Sequence, residues 1–291
     1  MPDHDSTAAT DRTPRRPSTI GIVVAMEAEL VHLLGALRVE AEGLDGPWLE
    51  RHARLGQHEL VIVRSGMGMV NAAAATEGLI ARHRPDAIVN FGCSGAHRRD
   101  ILPGDVVIGD RAVNHSAVHI LATGEELFKG TAYEVGGETM SASDLASDPA
   151  WLDRAHRAAA GWTPEPWPRE AGWPAGVAYR EPVIHTGPVA SADIWTQAHA
   201  RLDLLHGRHG TLCEDMEAAA IAQVCALHGM PFLTVKDISN NEFHAATDLA
   251  GGFTAFPTAE VGKRAAALVV RVLVGSRQSV DARRKTQDAR R

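Results

Sequence analysis

The stretch from Cys213 to Glu242 constrains the fold more than any other part of this chain. Ala218 to Leu227 combines strong helix formers with apolar residues about one turn apart, which predicts a buried helix. His228-Gly229 ends it, with glycine at the C′ position. Pro231 to Ile238 is a short apolar run with β-branched residues, the pattern of a buried strand. The stretch therefore reads as polar loop, helix, strand, polar loop. Met216-Glu217 precedes the helix and Ser239-Asn240 follows the strand. Open α/β sheets hold ligands beyond the carboxyl ends of their strands. A carboxylate and an amide at these two junctions can grip one small molecule. The same residues also suit plain structural duties, Glu217 complementing the helix dipole and Asn240 making a turn. On this stretch alone both readings stand.

The same grammar recurs along the chain. Thr19 to Ala25 reads as a buried strand running into Met26-Glu27-Ala28-Glu29-Leu30, which opens a helix expected to reach about Leu37. Glu27 and Glu29 thus fall in a first helical turn, where acids suit the dipole. Trp48 to Arg54 and Glu59 to Arg64 read as strands joined at Leu55-Gly56-Gln57-His58. Ser65-Gly66-Met67-Gly68 then leads into an alanine-rich helix. Such a turn can present backbone N–H groups to a polar ligand, although the full dinucleotide fingerprint is absent. Pro85 to Phe91 is a strand ending in Gly92-Cys93-Ser94-Gly95-Ala96, small residues that permit close approach. Leu102 to Ile108 is a turn and a strand whose continuation carries His115, a lone histidine better suited to structure than to ligand contact. Val183 to Ala190 is a strand leading into Ser191-Ala192-Asp193-Ile194-Trp195, and a long helix from about Thr258 to Val274 ends the fold. Residues 121–180 differ in character. Ala150 to Ala160 predicts a helix, and 161–176 is a Pro/Gly-rich loop whose tryptophans are expected to pin it to the body.

Composition narrows the classes. Lys plus Arg number 29 and Asp plus Glu 36, a formal charge of −7, so no basic surface for nucleic acid is expected. Cys93, Cys213 and Cys225 are odd in number and lack metal-ligand spacing, which suggests a reducing, cytoplasmic setting. Residues 1–18 lack the apolar core of a secretory signal and are expected to be a disordered tail. Residues 276–291 are expected to be a charged, solvated tail. No apolar run approaches the roughly 20 residues of a membrane span, and no metal cluster is visible.

Taken together, the junctions resemble the purine nucleoside phosphorylase/hydrolase superfamily, most closely its 5′-methylthioadenosine/S-adenosylhomocysteine nucleosidases. Ile20 to Glu29 looks like their opening strand and catalytic glutamate. Ser65 to Ala73, Asn90 to Gly95 and Gly104 to Ile108 look like their central strands and turns. Ser191-Ala192-Asp193 and Asp215 to Ala222 resemble two further segments. The resemblance spans about residues 19–275, with 121–180 as an expansion. It implies one three-layer α/β/α domain with a mixed, barrel-like curved sheet, usually a homodimer, acting on a purine nucleoside without metal or cofactor. It implies cleavage of the N-glycosidic bond, with Glu29 activating water, Glu217 holding ribose hydroxyls and Met216 beneath the sugar. Ala25, Met26, Cys93, Ser94, Gly95, Lys236 and Ser239 are expected to line the substrate site. Trp195 stands where the family has its base-stacking aromatic.

Three positions depart from the family pattern, one of them Cys93 in place of a serine. Lys236 replaces an arginine, and Asn240 replaces the aspartate that protonates purine N7. An amide has no proton to give. It can bond O6 and N7–H of a 6-oxopurine, or flip to meet adenine, so a 6-oxopurine nucleoside hydrolase such as futalosine hydrolase is the alternative substrate reading. A phosphorylase using Arg64 and Lys236, and a nucleoside-binding protein without catalysis, are the remaining alternatives.

Overall fold

The computed structural model describes residues 18–250 and 256–275. The tails expected at 1–18 and 276–291 lie outside these residues, except for Ser18, which opens the first strand. In chain order the elements are β1 (Ser18–Val24), α1 (Glu27–Leu34), β2 (Arg38–Asp45), β3 (Trp48–Leu55), β4 (His58–Arg64), α2 (Met69–His83), β5 (Ala87–Ala96) and β6 (Val106–Asn114). Next come β7 (Val118–Ile120), β8 (Glu126–Phe128), β9 (Thr131–Val135), β10 (Glu138–Ala142), β11 (Leu145–Ala146) and α3 (Pro149–Ala159). The last are β12 (Ile184–Ser191), α4 (His199–His209), β13 (Cys213–Asp215), α5 (Ala218–Leu227), β14 (Phe232–Asn240) and α6 (Lys263–Val274).

One mixed sheet of ten strands organises the molecule. Its hydrogen bonding closes into a ring, β6 to β12 to β13 to β5 to β14 and back to β6. Ring closure is possible because β5 is long. It pairs β1 along Ala87–Asn90 and β13 at Gly95–Ala96 on one side, and β14 on the other. From β1 the sheet runs on through β4 and β3 to β2. Strand alternation distributes the core. In β1, Ile20, Ile22 and Val24 pack with α1, α3 and α6, while Val23 packs with α2 and α5. Both faces are apolar and both are covered, giving the three-layer architecture with barrel-like curvature that the sequence implied.

Four local differences have physical causes. Helix α1 stops at Leu34, three residues short of Leu37, because Gly35 caps it and the chain turns there. Strand β2 escaped sequence reading because its residues are charged and largely exposed at the end of the sheet path, where burial imposes no apolar pattern. Helix α6 starts at Lys263 rather than Thr258, since Gly262 takes a left-handed φ of 75°. The 121–180 segment contains two antiparallel hairpins, β7–β8 and β9–β10. The second turns at Gly136-Gly137, a dipeptide that signals such a hairpin. As expected, tryptophans pin the Pro-rich loop: Trp167 is fully buried, and the Arg264 guanidinium lies 4.9 Å from its ring.

Candidate active site

The carboxyl ends of β1, β5, β13 and β14 surround a cavity of about 450 Å³. Glu29 enters it from the first turn of α1. Its Oε2 accepts the Met26 N–H at 3.0 Å, the backward reach of a capping glutamate, and its Oε1 accepts the Cys93 N–H at 2.8 Å. The capping carboxylate therefore also lines the cavity. Gly92 makes room for it: a Cβ there would lie 2.5 Å from Glu29 Oε1. Glu27, two residues earlier, faces outward and pairs with Arg64.

Glu217 stands just before α5 and accepts the Gly68 N–H on Oε1 at 2.9 Å, so the Gly-x-Gly turn serves the protein's own carboxylate. Asp215 caps the same helix, accepting the Ala218 N–H at 3.0 Å, and takes the Ser191 hydroxyl at 2.5 Å. Lys236 lies 2.6 Å from Asp215 with its ammonium almost wholly buried. Burial pushes the Glu29 carboxyl up, opposed by Lys236 and the Cys93 N–H. Burial and then the Asp215 charge hold Glu217 well above the ordinary carboxylate range. Burial would lower the Lys236 ammonium, but Asp215 and Glu217 outweigh it and hold it above its ordinary value. One buried cation thus serves three acids.

Of the residues picked out in the sequence, Ala25, Met26, Glu29, Cys93, Ser94, Gly95, Trp195, Met216, Glu217, Ser239 and Asn240 line the cavity. Lys236 does not. It sits behind the wall on Asp215, because β14 directs it inward beneath the carboxylates. Asp237, facing the other way, accepts the Gly262 and Arg264 N–H groups and anchors the start of α6. His115 is buried away from the lining, and burial lowers its imidazole to about 4. No residue of 121–180 lines the cavity.

Sequence reading missed Glu214, Thr196 and Glu242, which also line it. Glu242 accepts from Asn240 Nδ2 at 2.8 Å, Trp195 Nε1 at 3.1 Å and Gln197 Nε2 at 3.1 Å. Ser239 Oγ donates to Asn240 Oδ1 at 2.7 Å. A carboxylate accepts only, so this pair fixes the orientation of the Asn240 amide. The nearest sequence signal was the polar run Ser239-Asn240-Asn241-Glu242, but nothing local distinguishes its last acid from a solvated one.

A closed, curved sheet with buried acids at its strand ends defines the class of nucleoside phosphorylases and hydrolases. Residues 19–274 match the family model described as the phosphorylase superfamily, and the chain belongs to that family. It is 31% identical over 220 residues to the 5′-methylthioadenosine/S-adenosylhomocysteine nucleosidase of Geobacillus thermodenitrificans, covering 75% of this chain and 82% of that one. The S-adenosylhomocysteine nucleosidase of Streptococcus pyogenes, solved with 5-methylthiotubericidin, superposes with a TM-score of 0.68 at 27% identity, covering 88% of this chain and 96% of that one. The futalosine hydrolase of Helicobacter pylori shares the fold, with a TM-score of 0.68 at 21% identity over 88% of this chain and 97% of that one.

Proposed function

We propose that this protein is an N-glycosyl hydrolase that splits the bond between ribose and base in a 5′-modified purine nucleoside. The observation that carries the reading is the charge of the cavity. Its lining holds five acids, Glu29, Glu214, Asp215, Glu217 and Glu242, and no lysine, arginine or histidine among the described residues. Such a pocket repels phosphate and suits a sugar that gains positive character as the base departs. Arg64 is engaged by Glu27 and Lys236 by Asp215, so the cations a phosphorylase would need are committed elsewhere.

Glu29 acts as general base on water. Two backbone N–H groups orient its oxygens, and burial raises its proton affinity above that of an ordinary glutamate. Glu217 holds the ribose hydroxyls, with Met216 beneath the sugar. Trp195 stacks on the purine, and Asn240 meets its N7 edge. We place the enzyme in a reducing cytoplasm, supported by three unpaired thiols. None of the described helices is long and apolar enough to cross a membrane. We also propose a homodimer, supported by Met67 and Ile194, exposed in the cavity lining, and by the exposed Val70 in the first turn of α2.

A second reading of the base, a 6-oxopurine rather than adenine, is supported by Asn240 being an amide with no proton to give N7. The test is release of free base from methylthioadenosine and its inosine counterpart, with and without phosphate. Phosphate-independent release is expected. Release that requires phosphate, or none from either nucleoside, overturns the hydrolase.

A further inference from the structure

We propose that Glu50, His52 and His83 form a zinc site that ties strand β3 to the end of helix α2. Strand alternation and the docking of α2 together carry the inference. Glu50 and His52 are two apart on β3 and so project from the same face. That face meets the end of α2, whose last two residues, Arg82 and His83, both reach Glu50. One ligand atom from each of Glu50, His52 and His83 lies within 4.8 Å of the other two. Glu50 Oε2 is 2.8 Å from His83 Nε2 and 4.0 Å from His52 Nε2. Around tetrahedral zinc, with bonds of about 2.0–2.1 Å, neighbouring ligand atoms stand roughly 3.3 Å apart. The two distances bracket that figure, so small side-chain rotations admit the ion.

The surroundings are built for a cation. Glu50 is an acid only 2% exposed. Arg82 donates to its Oε1 at 2.6 Å. That bond orients the carboxylate and aims Oε2 at the imidazoles, the duty of a partner just outside a metal's ligands. Burial would raise the Glu50 carboxyl, but the bonds from Arg82 and His83 outweigh it and hold it below its ordinary value. A carboxylate accepts only, so His83 Nε2 carries the hydrogen between them. Zinc takes the place of that proton, which leaves to solvent. The carboxyl end of a helix carries partial negative charge, which favours a cation beside His83.

The donor set selects the ion. Two imidazoles and one carboxylate suit zinc, whereas magnesium and calcium seek oxygen alone. Three protein ligands leave a fourth position for water. The side chains of His52 and His83 are 43% and 23% exposed, which gives the ion a path from solvent. None of the three lines the cavity, so the site stands apart from the proposed base release. Glu50 and His83 are 33 positions apart, which is why no ligand spacing marks the site in sequence.

Calorimetric titration of the whole protein, first stripped with a chelator, tests this without turnover. Wild type is expected to take one Zn²⁺ per chain with a Kd in the micromolar range or tighter, and no Mg²⁺. Saturating Zn²⁺ should raise Tm, because the ion binds the folded site. Losing a partner outside the ligand set typically costs 10–100-fold in metal affinity, so losing a ligand costs at least about tenfold. His52→Ala and His83→Ala should each weaken Zn²⁺ by that much and abolish the thermal shift. The chain has 15 histidines, so undiminished binding in either folded variant would place zinc elsewhere and overturn the proposal. Binding weaker than micromolar in wild type, or Mg²⁺ bound as tightly as Zn²⁺, would also overturn it. Should His83→Ala fail to fold, the more exposed His52 variant and the wild-type titrations decide.

Discussion

In the proposed mechanism Glu29 serves a helix and a reaction with one side chain. Its cap to Met26 holds the carboxylate still, and its burial keeps proton affinity high. Glu29→Gln retains the shape without the basicity. Its kcat is expected to fall by about 10²–10⁴-fold, with nucleoside affinity largely kept. The base works only when ionised, so wild-type kcat should fall as pH drops, with a midpoint above the 4.5 of an ordinary glutamate. Steady-state kinetics across pH check both, and wild-type turnover in the variant would remove Glu29 from its role. At Glu217, substitution by alanine leaves ribose hydroxyls unpaired, a loss of about 1–3 kcal/mol. The variant should cease to distinguish ribosides from 2′-deoxyribosides. Unaltered discrimination would mean the hydroxyls are held elsewhere.

Among the elements, β14 divides labour by strand alternation. Lys236 turns inward to Asp215, while Asp237 turns outward to the start of α6. Lys236→Met strands a buried carboxylate that also caps α5. Breaking one side of a buried pair typically costs about 3–5 kcal/mol. Urea melts should show a loss of that size, with Lys236→Arg recovering part of it. A methionine variant as stable as wild type would show that Asp215 sheds its charge cheaply. The strand itself was legible in sequence because it is continuous and apolar. Strand β2 was not, because an exposed end strand needs no apolar alternation. Glycine at 262 was visible, but its left-handed φ follows from Asp237 gathering the first N–H groups of α6.

For the whole molecule, assembly and acid sensitivity can both be measured. Met67 and Ile194 are exposed in the cavity lining and Val70 is exposed in the first turn of α2, the apolar area on which the proposed dimer rests. Light scattering at micromolar concentration should give a dimer, and Val70→Glu should weaken it. A wild-type monomer would count against the assembly. His115 has its folded value lowered to about 4 from 6.5 by burial, with Glu214, His97, Arg201 and Asp215 acting on it. The unfolded chain therefore takes the proton first. Stability is full above about pH 6.5 and is lost as pH falls toward 4, by up to about 3 kcal/mol. Between pH 7 and 5, wild type should lose more stability in urea than His115→Leu does. Equal losses would show that the imidazole is not the acid-sensitive group.

Short-range pattern in the chain determined most of the buried strands and helices, though not β2, β13, α4 or the hairpins of 121–180, together with the polar junctions and Glu29, Glu217 and Asn240 as residues at strand or helix ends. These are local properties: periodicity, a capping position, a glycine after a helix. Tertiary structure alone decided which acids face one another. Gly68 and Glu217, 149 residues apart, meet through one hydrogen bond. Glu214 and Asn240 come abreast only because β13 and β14 flank β5 at Gly95. Lys236, expected to line the substrate site, lies behind the cavity wall because the ring of strands turns it beneath Asp215. A glutamate reads the same in sequence whether water or a closed sheet surrounds it. Only the closure of the sheet, through hydrogen bonds between distant strands, determines its chemistry.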